Sequence, residues 1–354
     1  MNFYYLCRLI YYFDKMLTKS HTISLLTMLM VFVLQATSCK TETKTRYIQV
    51  EGEALGTFVA VTCNTECSEE EIAEIVASVD SEAKASMSIF DESSLLSRIN
   101  RGETDELDRH ITRNLEISAR FTELSGGVYD VTVKPLTEAW GFAGEDNGGV
   151  EPNIDSLLEF VGFDKIAIED GRLVRQDERV QLDFNSIAKG YTVDLVAEEL
   201  EQRGISDYLV NIGGEIRCKG ENREGEDWKI AIETPYDGNM AMDSYVKVLP
   251  LSNCALATSG NYRRFYYTED GQKVAHTIDP HTGRSVISEL LSVTVVAPTC
   301  AEADAAATMF MAMGSEGGAL ELAKRCEAEY GWSYYFIYAD GEGYRIECSE
   351  RFED

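Results

Sequence analysis

Three observations predict a mixed α and β fold. Short β-favouring runs alternate with longer stretches of helical apolar spacing, the alternation continues along the chain beyond residue 47, and hydrophobic residues make up 44% of the 354, enough for a sizeable core. The strand-like runs cover 58–62, 208–212, 228–233, 245–249, 292–296 and 334–338. The helix-like stretches cover 69–85, 110–125, 154–162, 187–203 and 302–313. The clearest interruption, 141–153 (GFAGEDNGGVEPN), is acidic and glycine-rich and reads as a surface loop tolerant of insertion. Short repeats, the Rossmann fingerprint and the P-loop motif are all missing from the sequence.

An address precedes the folded part. Lys15 and Lys19 come before the apolar run 23–34 (ISLLTMLMVFVL), short for a bilayer-spanning helix, and the small residues Ala36, Thr37 and Ser38 lead into Cys39. This pattern predicts a signal peptide over residues 1–38. Small residues directly before a cysteine resemble a lipobox, in which that cysteine is acylated and becomes the first mature residue. An uncleaved anchor, or an ordinary signal with an incidental cysteine, is the other reading. Polar residues follow, so 39–46 reads as a tether and 47–354 as the folded domain.

With 61 acidic against 32 basic residues the formal charge is -29, a field that repels polyanions and excludes nucleic acid as a partner. An anionic small ligand would need a metal ion, helix N-termini or backbone amides at its site. Beyond Cys39 stand Cys63, Cys67, Cys218, Cys254, Cys300, Cys326 and Cys348, an odd number, so at least one thiol stays unpaired within the chain. Cys63 and Cys67 lack the second close pair or histidine cluster that zinc requires and read as buried small hydrophobes or one optional disulfide.

Several segments can carry chemistry. In the stretch AEADAAAT, Asp304 and Thr308 share a helix face, so a carboxylate and a hydroxyl can meet one hard cation; alternatively Asp304 complements the positive helix end and Thr308 bonds back to its own helix. In LDFNSIAKGY, a β-rich run ends at Asp183, a turn containing Ser186 follows, and Ile187, Tyr191 and Leu195 mark the stripe of a helix. Lys189 at that corner can approach an anion while Asp183 accepts from ligand donors, or the segment is a capped helix with a solvated lysine. The stretches SGGVYDVT, NIGGE and TSGNYR are dense in small and polar residues that permit close backbone approach, or are tight turns. His276, at a strand end before the turn residues Asp279-Pro280, is the best general-base candidate among four histidines; a histidine hydrogen-bonded at a strand end is the alternative.

In this order, Leu55-Gly56-Thr57, the run SMSIF ending at Phe90, the run GVYDVTVKPL from Gly127, the corner 183–194, the segment 210–214, the stretch 257–263, the turn 276–283 and the segment 292–314 resemble the ApbE family, the FAD:protein FMN transferases. The resemblance covers nearly all of the chain after the tether. It implies an α+β fold of antiparallel sheets with packed helices, related to the T-fold, and FAD in a central cleft. It implies a Mg²⁺ site at Asp304 and Thr308 with an oxygen from Ser186, and FAD contacts at Leu55, Phe90, Val128, Tyr129, Asp130, Asp183, Lys189 and Ile278. Leu55 stands where the family often has Met, and Phe90 where it often has Tyr or Trp; both stay apolar.

The implied reaction moves FMN from FAD onto a threonine or serine hydroxyl of an acceptor protein, with His276 or an acidic neighbour as base, Asp304 as a catalytic residue through the metal, and AMP leaving. The implied acceptors are exported or membrane-attached redox subunits, which matches an enzyme lipid-anchored in the cell envelope, on the inner membrane facing the periplasm. FAD hydrolysis at the same metal site and metal-free FAD storage are the rival readings.

Overall fold

The computed structural model describes residues 46–143, 150–236, 244–262, 264–341 and 343–353. The signal segment, Cys39, the tether before Arg46, part of the acidic loop and Arg263 lie outside the described residues. Among the described residues no helix is long and apolar enough to cross a membrane.

The chain opens with a hairpin of β1 (Tyr47–Ala54) and β2 (Thr57–Asn64), then runs through α1 (Glu69–Met87), α2 (Leu95–Asn100), α3 (Arg109–Ser125), α4 (Lys134–Ala139) and α5 (Ile154–Leu158). A small hairpin, β3 (Ile166–Glu169) and β4 (Arg172–Arg175), leads to the long helix α6 (Ala188–Gln202). Strands β5 (Tyr208–Ile212), β6 (Glu215–Lys219), β7 (Trp228–Glu233), β8 (Tyr245–Leu251), β9 (Cys254–Gly260), β10 (Phe265–Tyr267), β11 (Lys273–Ala275) and β12 (Leu290–Ala297) follow. Helices α7 (Cys300–Met313) and α8 (Ala319–Tyr330) and strands β13 (Ser333–Asp340) and β14 (Gly343–Cys348) complete the domain.

Every predicted strand and helix is present, with ends moved by a few residues. The largest difference is the helix expected over 154–162, which stops at Leu158. Its last carbonyls are taken instead by the Lys165 ammonium, which donates to the Leu158, Glu159 and Val161 oxygens at 3.2, 2.8 and 2.8 Å. Helix ends elsewhere follow local chemistry. Ser68 and Glu71 form a reciprocal capping box at the start of α1, and Asp108 caps α3, which Gly126 ends in the left-handed conformation.

The scaffold is an eight-stranded antiparallel sheet in the order β1-β2-β5-β6-β9-β12-β13-β14. Alternation along the strands sends side chains to two different cores. On one face Val59, Val61 and Cys63 of β2 and Tyr208, Val210 and Ile212 of β5 pack with the apolar sides of α1 and α6. On the same side Val293, Val295 and Phe336 join the alanine-rich α7 and helix α3. The opposite face of β6, β9, β12 and β13 is covered by the separate β7–β8 hairpin, through Trp228, Ile230, Ile232 and Leu249. The buried run 334–338 is therefore apolar on both sides. All seven cysteines of this domain are free thiols, Cys63 among them, and burial pushes the Cys63 thiol up to about 12.

Helices α6 and α7 cross at Gly190. A Cβ there would stand 2.3 Å from the Cys300 carbonyl oxygen and 2.7 Å from Asp304 Cβ, so no larger residue fits without backbone movement. One turn later the buried Asp194 accepts the N–H groups of Cys300 and Ala301, each at 2.9 Å, and pairs with Arg217 of β6 at 2.8 Å. One carboxylate thus caps α7, faces its positive end and ties it to the sheet. Gly190→Ala is expected to cost about 1–3 kcal/mol by overpacking, read as a lower thermal midpoint in the full chain. An unchanged midpoint would mean that the two helices can separate freely.

Candidate functional site

The β5–β6 hairpin, the corner before α6, the first half of α7 and the loop after β11 converge on one cavity of about 600 Å³. That volume is typical of a small-molecule site. Val128, Tyr129, Asp130, Asp183, Ser186, Lys189, His276, Ile278, Asp304 and Thr308 all line it. Of the residues singled out from the sequence, Leu55 and Phe90 are not in the lining, and Cys39 lies outside the described residues. Phe90 is 68% exposed, on the loop where Ser88 Oγ accepts its N–H. Leu55 and Gly56 form the two-residue turn between β1 and β2 with φ of 51° and 72°. Leucine in the left-handed region is strained, and this turn is held to α1 by the Leu55 N–H, which donates to Asp80 Oδ1 at 2.7 Å.

Asp304 is 5% exposed and projects from the second turn of α7, where Oδ2 accepts the Gly190 N–H at 2.9 Å. Burial pushes its pKa up to about 7; Glu215 adds to the rise, while Lys189 and the Gly190 N–H oppose it. Lys189 reaches from the first turn of α6 to form an ion pair with Glu215 Oε1. Burial by itself would lower the Lys189 pKa, but the facing Glu215 and Asp304 carboxylates outweigh it and hold the ammonium above its ordinary value. The lysine is thus half-buried and ion-paired, not a free surface cation. Glu215, the first residue of β6, was not assigned a role from sequence. Its only signal there was an acidic side chain directly after a glycine pair, and the structure shows why the pair is needed. Gly213 and Gly214, at φ 66° and 108°, make the tight turn that aims it inward.

The two aspartates carried over as flavin contacts are anchored within the protein. Asp130 Oδ1 accepts the Thr132 N–H at 2.8 Å and its hydroxyl at 2.7 Å, and Oδ2 accepts the Phe163 N–H at 2.7 Å. Asp183 Oδ1 accepts the Asn185 N–H at 2.8 Å, and Oδ2 accepts the Thr137 hydroxyl at 3.2 Å. Burial raises the pKa of both, more than these hydrogen bonds lower it. Ser186 donates its hydroxyl to the buried Tyr129 phenol at 2.9 Å.

His276 lies at the rim, partly accessible on its surface yet surrounded by Phe142, the Arg264 backbone and nearby cations. Desolvation, then Arg264 and Lys189, bring its pKa down to about 4, so the imidazole is neutral at pH 7. Nδ1 lies 3.3 Å from the Arg264 carbonyl. The tautomer that donates there leaves the Nε2 lone pair for a proton.

The donor set fits a hard divalent cation. Asp304 and Thr308 supply a carboxylate and a hydroxyl one turn apart, Ser186 lies across the same cavity, and all contribute oxygen only. Glu215, ion-paired through Oε1 with Lys189, lines the same cavity and leaves a buried Oε2 without a hydrogen-bond partner. No group of three or more His, Cys, Asp or Glu side chains forms a metal cage among the described residues.

The model of the family described as ApbE matches residues 55–331. An FAD:protein FMN transferase of Haemophilus influenzae is 36% identical over 340 residues, covering 90% of this chain and 94% of that protein. One from Vibrio cholerae is 39% identical over 243 residues, covering 67% of this chain and 72% of that protein. The solved structure of the flavin transferase ApbE from Vibrio cholerae superposes with a TM-score of 0.77 at 31% identity, covering 87% of this chain and 99% of that one.

Asp130→Asn separates structural from binding roles. The amide can accept on one side only and turns its NH₂ toward a backbone donor on the other, which is expected to cost about 1–3 kcal/mol in urea unfolding without any ligand present. A variant as stable as the parent protein would place Asp130 outside the folding network.

Proposed function

This chain belongs to the ApbE family and is an FAD:protein FMN transferase; we propose that it uses the Asp304 cavity to hand the FMN half of FAD to a threonine or serine hydroxyl of an acceptor flavoprotein. What supports this reading is convergence: the ten residues to which the resemblance assigns FAD, metal and catalytic roles, from Val128 to Thr308, line one cavity.

Asp304 and Thr308, with an oxygen from Ser186, are the residues that would hold Mg²⁺, which when bound neutralises the pyrophosphate and makes its phosphorus more electrophilic. Val128 and Ile278 offer apolar wall to a ring system. The Lys189 ammonium, held by Glu215, faces the pyrophosphate as a fixed positive charge. The acceptor hydroxyl enters from the open side past His276, whose neutral ring takes the proton. The acceptor oxygen bonds to the FMN phosphorus while the bond from that phosphorus to the bridging oxygen breaks, and AMP leaves with the oxygen. The flavin ring is carried over without redox change.

The apolar segment 23–34 and the small residues before Cys39 support a further part of the reading, that Cys39 carries a lipid anchor. The enzyme would then sit at the inner membrane facing the periplasm, beside exported or membrane-attached redox subunits.

An acceptor incubated with the protein, FAD and Mg²⁺ is expected to gain the mass of one FMN at a threonine or serine in an intact-mass spectrum. FAD consumption without that increment would select hydrolysis. Asp304→Asn keeps an acceptor for the Gly190 N–H but removes the charge facing the cation. Transfer is expected to fall on the order of a hundredfold or more, with little change in thermal midpoint; wild-type transfer at low Mg²⁺ would overturn the metal assignment. Cys39→Ser is expected to release the protein to the soluble fraction or leave its signal uncleaved, read by fractionation and intact mass. Normal processing with full membrane attachment would exclude the anchor.

A further inference from the structure

Glu215 is a buried carboxylate that the reaction as derived above uses only as a hold on Lys189. It is 2% exposed and lines the cavity. Oε1 is ion-paired with Lys189, and Oε2 is buried without a hydrogen-bond partner. Leaving a carboxylate oxygen in that state is costly unless a donor, a water or a cation in the cavity meets it.

The need is specific when the charges are counted. Lys189 immediately precedes Gly190, whose N–H donates to Asp304 Oδ2, and it lines the same cavity as Asp304 and Thr308, so a divalent cation held there would have an ammonium as a near neighbour. With Asp304 ionised, as a cation held at its carboxylate requires, Asp304 and Lys189 alone sum to zero. With Glu215 the three groups sum to one negative charge, and the cavity keeps a net attraction for the cation even with the lysine in place. The same lysine can then serve the pyrophosphate without expelling the metal.

We propose that Glu215 is a positioning residue that fixes the Lys189 ammonium and supplies the negative charge that lets a divalent cation bind beside it. This rests on the reading that Asp304 holds the metal. Glu215 acts through Lys189 and through the field at Asp304.

The consequence has opposite signs for the two ligands, which no loss of folding can imitate. In Glu215→Gln, an isosteric change, Mn²⁺ binding to the FAD-free full chain, followed by electron paramagnetic resonance, is expected to weaken at least about tenfold, the scale of one unit charge acting on a divalent cation at short range. FAD binding in EDTA, followed by flavin fluorescence, is expected to tighten severalfold, because the lysine's charge is no longer neutralised. Glu215→Asp keeps the charge and is expected to recover most of the Mn²⁺ affinity. Mn²⁺ affinity within twofold of the parent in Glu215→Gln overturns the proposal. So does parallel weakening of both ligands together with a lower thermal midpoint, the signature of a merely structural residue. Asp304→Asn is the separate control: if it binds Mn²⁺ as the parent does, the metal assignment itself fails, whatever Glu215→Gln does.

Discussion

The close crossing of α6 and α7 at Gly190 is the constraint on which the site depends. With no side chain at that position, the Cys300 carbonyl approaches the α6 backbone, and the Gly190 N–H reaches Asp304. Asp194, one turn further along, holds the start of α7 through two backbone N–H groups and reaches across to Arg217 of β6. Lys189 is the residue before the crossing and Glu215 starts β6, so the same junction sets the distances within the charged trio. A shift of either helix would move the carboxylate, the ammonium and the Ser186 corner relative to one another. That is why a site spread over three elements needs so little loop to hold it.

The overall charge of -29 and the proposed anionic substrate are compatible because the attraction is local. Long-range repulsion is screened within about a Debye length in physiological salt. The cavity lining carries the cationic residues Lys189, Lys229 and Arg264, and Asp304, Thr308 and Ser186 line the same cavity. The acidic surface instead disfavours polyanions, consistent with a protein that meets one dinucleotide and a protein hydroxyl, not a nucleic acid.

The sheet contributes by where its ends fall. Glu215 starts β6 after a glycine turn, and the end of β9, at Thr258, Ser259 and Gly260, lines the cavity next to it. Both faces of the central strands are covered, by helices on one side and the β7–β8 hairpin on the other. Cavity walls at strand ends can then stay rigid while remaining open to a ligand. The second aspartate layer works in the same sense: Asp130 and Asp183 are held by backbone N–H groups, so the groups around them are placed before any ligand arrives.

The sequence by itself determined the α and β content, most long elements, the glycine turn at 213–214 and the family, because periodicity, capping and short motifs are local or ordered along the chain. It also marked Asp304, Thr308, Lys189 and His276 as candidates, each with an ordinary structural alternative. Strands such as β6 and β9 and the helix end at Leu158 were not legible, since their limits are set by partners elsewhere in the chain. Only the tertiary structure decided that ten candidates share one cavity while Leu55 and Phe90 lie outside its lining, and that Lys189 is paired with Glu215. It alone decided that Asp194 caps a helix more than 100 residues later. Those facts are contacts between distant segments, and their geometry follows from how the helices cross and which strands pair, information that no spacing within one segment contains.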